Sequence, residues 1–155
     1  MGSVMKINPF KTTRTLSFGD CDPAGIAYFP HYFHHLNTVN EEFFGKLGAP
    51  WTRTIHQDRI GFPTAQLNAR FVNVGLHGDV LEWTVFVRRI GRASLDLDHE
   101  ICARGHILWQ ASQTLVATSL DTHKPIPWPD ALRGAFLALI SPQKPEQTHA
   151  DIPAT

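Results

Sequence analysis

Cysteine is scarce in this chain: Cys21 and Cys102 are the two present among 155 residues. They form no disulfide framework and lack the CxxC spacing of a structural metal site, so a reducing, cytoplasmic compartment is expected. Neither sign of charge is in excess, because fourteen Lys and Arg balance fourteen Asp and Glu. No overall positive field would gather nucleic acid or an anionic membrane, and neither is expected as a partner. Long apolar runs are missing too. "MGSVMKINPF" resembles neither a signal peptide nor a membrane span, and Lys6 stands where a myristoylation signal has serine or threonine. What is present is 43% apolar and 18% charged residues, a globular composition. The length suits one domain. We place it at residues 10–141, with flexible ends at 1–9 and 142–155, the second being polar, proline-bearing and without periodicity.

Along the chain, "KTTRTLSF" ends in the alternation of a short strand. From Pro30 the apolar residues recur at three- and four-residue steps through Tyr32, Phe33, Leu36, Val39, Phe43, Phe44 and Leu47. This period predicts an amphipathic helix of about four turns, closing near Gly45 or Gly48. A polar loop follows at "TRTIHQDRIGFP". Strands are then expected at "QLNARFV", "LEWTVFVRR", "SLDLDHEICAR" and "ILWQASQTLVATSL", with "RIGRAS" and "ARGH" as hairpin connections. In "SLDLDHEICAR", Leu95, Leu97, His99, Ile101 and Ala103 alternate with Ser94, Asp96, Asp98, Glu100 and Cys102, the mark of an antiparallel sheet covered on one side. "WPDALRGAFLALI" predicts a terminal helix begun by Pro129 or Asp130. The result is an α+β chain with one long helix on a five-stranded antiparallel sheet. One helix cannot cover both faces and the edges of such a sheet, so a homo-oligomer formed by sheet association is expected.

The chemistry concentrates in "GDCDPAGIAYFPHYFHH". Cys21 is a poor nucleophile here, since Asp20 and Asp22 disfavour its thiolate. His31, His34 and His35 lack an HExxH pattern and a placed carboxylate, so no metal site is assigned to them, and His31 and His35 suit surface or substrate-lining positions as well. Asp22 precedes a helix whose first turn is opened by Pro30. A carboxylate there, with unpaired backbone N–H groups at the helix start, makes an acyl-transfer pair in which one group attacks or activates water and the other holds the oxyanion. On spacing alone, turn capping by Asp20 and Asp22 is the stronger reading.

"FGDCDPAGIAYFPHYFHHLN" resembles the signature of the 4-hydroxybenzoyl-CoA thioesterase family of hotdog-fold acyl-CoA thioesterases. "GFPTAQLNARFV", "HGDVLEWTVFVRRIGRASL" and "LDTHKPIPWP" resemble later segments of the same fold. The resemblance implies a hotdog fold, in which the sheet wraps a long central helix. It also implies hydrolysis of an aryl- or short acyl-CoA thioester to carboxylic acid and free CoA. No cofactor is implied, coenzyme A being part of the substrate, and the partners are acyl-CoA and further copies in a homodimer or homotetramer. By motif position, Asp22 is the catalytic nucleophile or general base, and the Phe29 backbone N–H polarises the thioester carbonyl. Tyr32 and Phe33 are implied as acyl-pocket walls, although helical core packing is their default. Arg88, Arg89, Arg92 and Ser94 lie where the family meets the phosphates of CoA, a task that suits the guanidinium fork.

Asn37 departs from the pattern, standing where members that hold a phenol have an acidic residue; its amide can still bond a hydroxyl. Glu41 and Glu42, the carboxylates of a different hotdog arrangement, are read as exposed helix residues about three turns into the helix. Two alternatives stay open: a non-catalytic acyl-CoA-binding protein that keeps the groove, and a metal-dependent hydrolase using the histidines.

Overall fold

The structure is a computed structural model and describes residues 9–140. The flexible ends expected at 1–9 and 142–155 lie outside the described residues, apart from Pro9.

The threonine-rich opening forms strand β1 (Phe10–Thr15), and Pro30 opens helix α1 (Pro30–Lys46). Then come helix α2 (Trp51–His56) and strands β2 (Ile60–Gly61), β3 (Thr64–Phe71), β4 (Val80–Ile90), β5 (Ser94–Ala103), β6 (His106–Val116) and β7 (Thr118–Ser119). Helix α3 (Asp130–Leu137) follows. The five long strands make one antiparallel sheet in the order β1-β4-β5-β6-β3, while β2 pairs separately with β7. The expected order of strand, long helix and four strands therefore holds.

The alternation in β5 is complete: every second residue from Leu95 to Ala103 is buried and the residues between them are half-buried. Those inward positions, with Leu81, Trp83, Val85 and Val87 of β4 and Trp109, Ala111 and Leu115 of β6, form the core against Tyr32, Leu36, Val39, Phe43 and Phe44 of α1. The outward face is a polar ladder. Ser112 and Thr114 donate to Asp98 and Asp96 at 2.9 and 2.7 Å, and Gln110 donates to Glu100 at 3.1 Å. The β5–β6 hairpin turns through Arg104 and Gly105, whose φ values of 53° and 74° suit a two-residue turn with both central residues left-handed.

Three expectations change. "TRTIHQDRIGFP" is not all loop: Pro50 leads into α2, and Trp51 packs on Phe44 and Phe62 at ring distances of 5.7 and 6.1 Å. An apolar residue at the head of a polar stretch is thus pulled into order by tertiary burial. The first strand stops at Thr15, and Phe18–Asp20 form a single 3-10 turn. Glu42 is not an exposed helix residue. It ties α1 to β1 by a 2.7 Å ion pair with Arg14 and accepts the Thr12 hydroxyl at 2.9 Å. Burial would raise its pKa, but the hydrogen bonds from Arg14 and Thr12 draw it below the usual value.

Candidate active site

The segment between the 3-10 turn and α1 is folded against the loop that precedes β4. Ala27 N–H donates to Gly75 O at 2.9 Å and His77 N–H to Gly25 O at 3.1 Å. The second loop is anchored by Asp79, which accepts Leu76 N–H at 2.8 Å and Arg104 Nε at 3.0 and 3.1 Å through its two oxygens. Gly75 is required there, because a Cβ at that position would meet the Tyr32 hydroxyl and the Leu16 and Ala27 side chains.

Between these loops and the end of β3 lies an open cleft of about 360 Å³ walled by Ala27, Phe29, Tyr32, Phe71, Val74 and Gly75. Its sides are aromatic. Phe29 meets Phe71 edge-on at 6.0 Å, and Tyr32 stacks on Trp109 at 5.7 Å. The Tyr32 hydroxyl is buried without a hydrogen-bond partner among the described residues. Burial, followed by the Asp79 carboxylate, pushes its pKa up, so Tyr32 presents a neutral phenol.

Phe29 is the residue immediately before α1, and its carbonyl already accepts Tyr32 N–H at 3.2 Å. Its own N–H has no acceptor among the described residues, as expected of a donor at a helix start. That donor carries the positive end of the helix dipole, and its side chain borders the cleft. Asp22 is half-buried in the loop leading to this point. One carboxylate oxygen accepts Ala24 N–H at 2.8 Å, so the capping role read from spacing is real. That cap engages Oδ1 and leaves Oδ2 without a hydrogen-bond partner among the described residues. The thiol of Cys21 is pushed up by burial and then by Asp20, Asp22 and Asp79, which is the reverse of what a nucleophilic thiolate needs.

The remaining expected residues divide by location. Tyr32 walls the cleft, while Phe33 packs edge-on against Trp109 at 5.8 Å and serves the core. Asn37 is exposed on α1 and is not among the cleft walls. Arg88, Arg89, Arg92 and Ser94 sit at the far end of the β4–β5 hairpin. Val80 begins β4 beside the cleft loop and Arg89 lies nine residues further on, about 30 Å away along the strand. Arg88 there pairs with Asp98 at 3.3 Å. Ser94 turns its backbone to the fold, its carbonyl accepting Gly91 N–H at 2.9 Å and Trp128 Nε1 at 3.0 Å. One copy of the chain therefore sets Phe29 and Tyr32 at the cleft, carries Asp22 on the loop that leads to it, and leaves Asn37 and the arginines apart. His31 and His35 both turn toward Asp20. No group of three or more metal-ligating side chains is placed to hold a metal ion among the described residues, and none of the described helices is long and apolar enough to cross a membrane. Sequence reasoning missed Phe71 as a cleft aromatic and Trp109 as the buried ring behind Tyr32. Their signal was present only as aromatic residues on two separate strands.

A long helix laid across a five-stranded antiparallel sheet, with a cleft at the helix start, defines a hotdog-fold protein. The chain belongs to the thioesterase-like superfamily, whose family model matches residues 16–136. It is 35% identical over 88 residues to a 4-hydroxybenzoyl-CoA thioesterase from Pseudomonas sp. (strain CBS-3), an alignment covering 56% of this chain and 62% of that one. The chain thus aligns with under two thirds of that relative's length. It is 24% identical over 120 residues to a 1,4-dihydroxy-2-naphthoyl-CoA hydrolase from Thermosynechococcus vestitus, covering 77% of this chain and 82% of that one. Among solved structures, the 4-hydroxybenzoyl-CoA thioesterase of the Pseudomonas strain superposes with a TM-score of 0.75 at 27% identity, over 81% of this chain and 97% of that one. A gentisyl-coenzyme A thioesterase superposes at 0.76 and 25%, over 82% and 99%.

Proposed function

We propose that this protein is an acyl-CoA thioester hydrolase acting on aryl-CoA substrates, releasing an aryl carboxylate and free CoA by addition of water. The observation that carries the reading is the unpaired Phe29 N–H at the start of α1, at the border of an aromatic cleft, with Asp22 on the loop that leads to it. A thioester carbonyl that accepts the Phe29 N–H gains a donor oriented before reaction, where negative charge develops. Asp22 either attacks that carbon, expelling the CoA thiolate and leaving an anhydride for water to cleave, or takes a proton from the attacking water. The thiolate leaves without needing a metal, and no redox cofactor is required. Phe29, Tyr32 and Phe71 offer a planar ring the edge and face contacts that aromatic pairs favour, which supports an aryl acyl group.

In this reading the site is completed by a second copy. The arginines stand about 30 Å from the cleft along β4, too far for one chain to bind both ends of a compact thioester. β3 is an edge strand with all eight residues exposed, suited to association between copies. Arg88, Arg89, Arg92 and Ser94 of one copy then serve the CoA phosphates, and Asn37 serves a ring substituent, at the cleft of another.

The test is thiol release from benzoyl-, 4-hydroxybenzoyl- and short aliphatic CoA thioesters by the wild type, Asp22→Asn and Asp22→Ala, each checked for native circular dichroism. Loss of at least about 100-fold in kcat by both variants, with the aryl thioesters preferred by the wild type, is expected for a lost nucleophile or base. Turnover that survives both substitutions removes Asp22 from the chemistry. Binding without any thiol release would make the protein an acyl-CoA-binding module.

A further inference from the structure

Asp20 is the more enclosed of the two carboxylates flanking Cys21, with 8% of its surface exposed. It is not among the cleft walls, yet its contacts span the ends of the segment that carries both proposed reacting groups. On one side, Oδ2 accepts the Ser17 N–H at 2.9 Å and the Ser17 hydroxyl at 2.8 Å. On the other, Oδ1 lies 3.3 Å from His31 Nδ1, and Oδ2 lies 3.2 Å from His35 Nε2. A carboxylate only accepts, so His31 donates from Nδ1. The His35 contact is out of line for a hydrogen bond and acts as a close polar contact. The Asp20 carbonyl accepts Tyr28 N–H at 2.9 Å, directly before Phe29.

His31 and His35 are four residues apart and therefore on one face of α1, in its first two turns. Asp22 and Phe29 both lie between Asp20 and His31 in the chain. Without this clamp that loop keeps its two bonds to the loop before β4 but gains freedom at both ends, and the proposed chemistry loses a fixed spacing of carboxylate and donor. Burial of Asp20 acts to raise its pKa, but the Ser17 backbone and hydroxyl and then His35 draw it to about 2. The group is ionised in any ordinary assay.

We propose that Asp20 is a positioning residue: by joining the Ser17 turn to His31 and His35 on α1, its carboxylate fixes Asp22 relative to the Phe29 N–H. The proposal rests on the reading of Asp22 and Phe29 given above. It differs from simple turn capping because it demands a loss in turnover beyond any loss of folded protein. A displacement of about 1 Å at a reacting pair costs up to about 100-fold in rate.

The experiment compares Asp20→Asn, Ser17→Ala and His35→Gln with Asp22→Asn, using 4-hydroxybenzoyl-CoA and benzoyl-CoA as probes. Asp20→Asn should lower kcat by about 10- to 100-fold with KM within about twofold of wild type. Ser17→Ala and His35→Gln, which each remove one contact of the clamp and leave the Ser17 N–H and His31 contacts in place, should show smaller losses of the same kind. They decide the matter if Asp20→Asn fails to fold. A readout independent of turnover is hydrogen exchange at the Tyr28 amide, which should quicken about tenfold or more in Asp20→Asn while β5 amides keep their protection. Unchanged kcat in folded Asp20→Asn, or unchanged exchange at Tyr28, overturns the clamp. If Asp22→Asn keeps wild-type turnover, the catalytic reading itself fails. An inactive Asp22→Asn beside a fully active Asp20→Asn defeats only the clamp.

Discussion

Acid should destabilise this protein through one buried side chain, His99. It is 2% exposed in the middle of β5 and belongs to a hydrogen-bonded chain through the core. Trp83 Nε1 donates to His99 Nδ1 at 3.0 Å, and His99 Nε2 lies 3.0 Å from Gln113 Oε1. Gln113 Oε1 also accepts Asn40 Nδ2 at 2.9 Å, and Gln113 Nε2 reaches Thr64 Oγ1 at 2.8 Å. Since the indole only donates, Nδ1 must be bare and Nε2 carries the proton. A second proton on Nδ1 would face the indole N–H, donor against donor, inside the core. Burial accordingly lowers the imidazole from 6.5 to about 4, against a smaller opposing effect of the Gln113 hydrogen bond. Between those values the unfolded chain binds the proton and the folded one does not, so stability rises with pH across this interval and is lost as pH falls through it. At about 1.4 kcal/mol per pH unit, the loss from neutral pH to about pH 4 is about 3 kcal/mol. Below about pH 4 both states are protonated and the penalty stops growing. His99→Gln keeps an acceptor for Trp83 and a donor for Gln113 but cannot titrate. The assay is urea unfolding by tryptophan fluorescence at fixed protein concentration, from pH 7 down to pH 4. The variant should start about 1–2 kcal/mol less stable at pH 7, because a flexible amide replaces a fitted ring. It should then lose about 3 kcal/mol less than the wild type on acidification. Parallel losses in the two proteins would refute the assignment of a neutral, Nε2-protonated His99. The Asp20 carboxylate does not interfere: its value is lowered from 3.8 to about 2, so its contribution is present above about 3.8 and lost as pH falls through about 2.

Two further outcomes follow from the site. Phe29→Pro deletes the unpaired N–H while keeping φ near the observed −53°, so kcat should fall by about 100-fold or more, as for the loss of one oxyanion donor. Phe29→Ala retains the donor and should mainly weaken binding of aryl thioesters, seen as a raised KM in the same thiol-release assay. Mixing of subunits tests the two-copy site. Asp22→Asn protein and Arg89→Ala/Arg92→Ala protein, each impaired alone, should recover activity when refolded together, and the absence of any recovery would place cleft and arginines in separate functions.

Much of the fold was readable because its determinants are local. The alternation of Leu95, Leu97, His99, Ile101 and Ala103 needs only one strand and one buried face, and the three- and four-residue steps from Tyr32 to Phe44 need only one helix. The position of Phe29 at the helix start was likewise readable from Pro30, the next residue. By contrast, α2 depends on Trp51 finding Phe44 and Phe62 across the core. The inward turn of Glu42 depends on Arg14 and Thr12 of a strand about thirty residues earlier. Such contacts leave no periodic trace in the chain.

The same division runs through the site. The sequence by itself determined that a carboxylate at Asp22 precedes a helix whose first N–H groups are unpaired, since Pro30 and the apolar period from Tyr32 onward demand it. It also determined that Cys21, between two aspartates, is poorly placed as a thiolate. Only the tertiary structure decided the cleft: Phe71 joins Tyr32 and Trp109 because β3 pairs with β6 in the register that sets Phe71 opposite Trp109. Only it separated Arg88, Arg89 and Arg92 from Asp22 by most of the length of β4, and turned His31 and His35 onto Asp20. The reason is physical. Backbone preference and burial period act over a few neighbouring residues, whereas strand register and the direction in which a side chain finds a partner are settled by the packing of the whole chain at once.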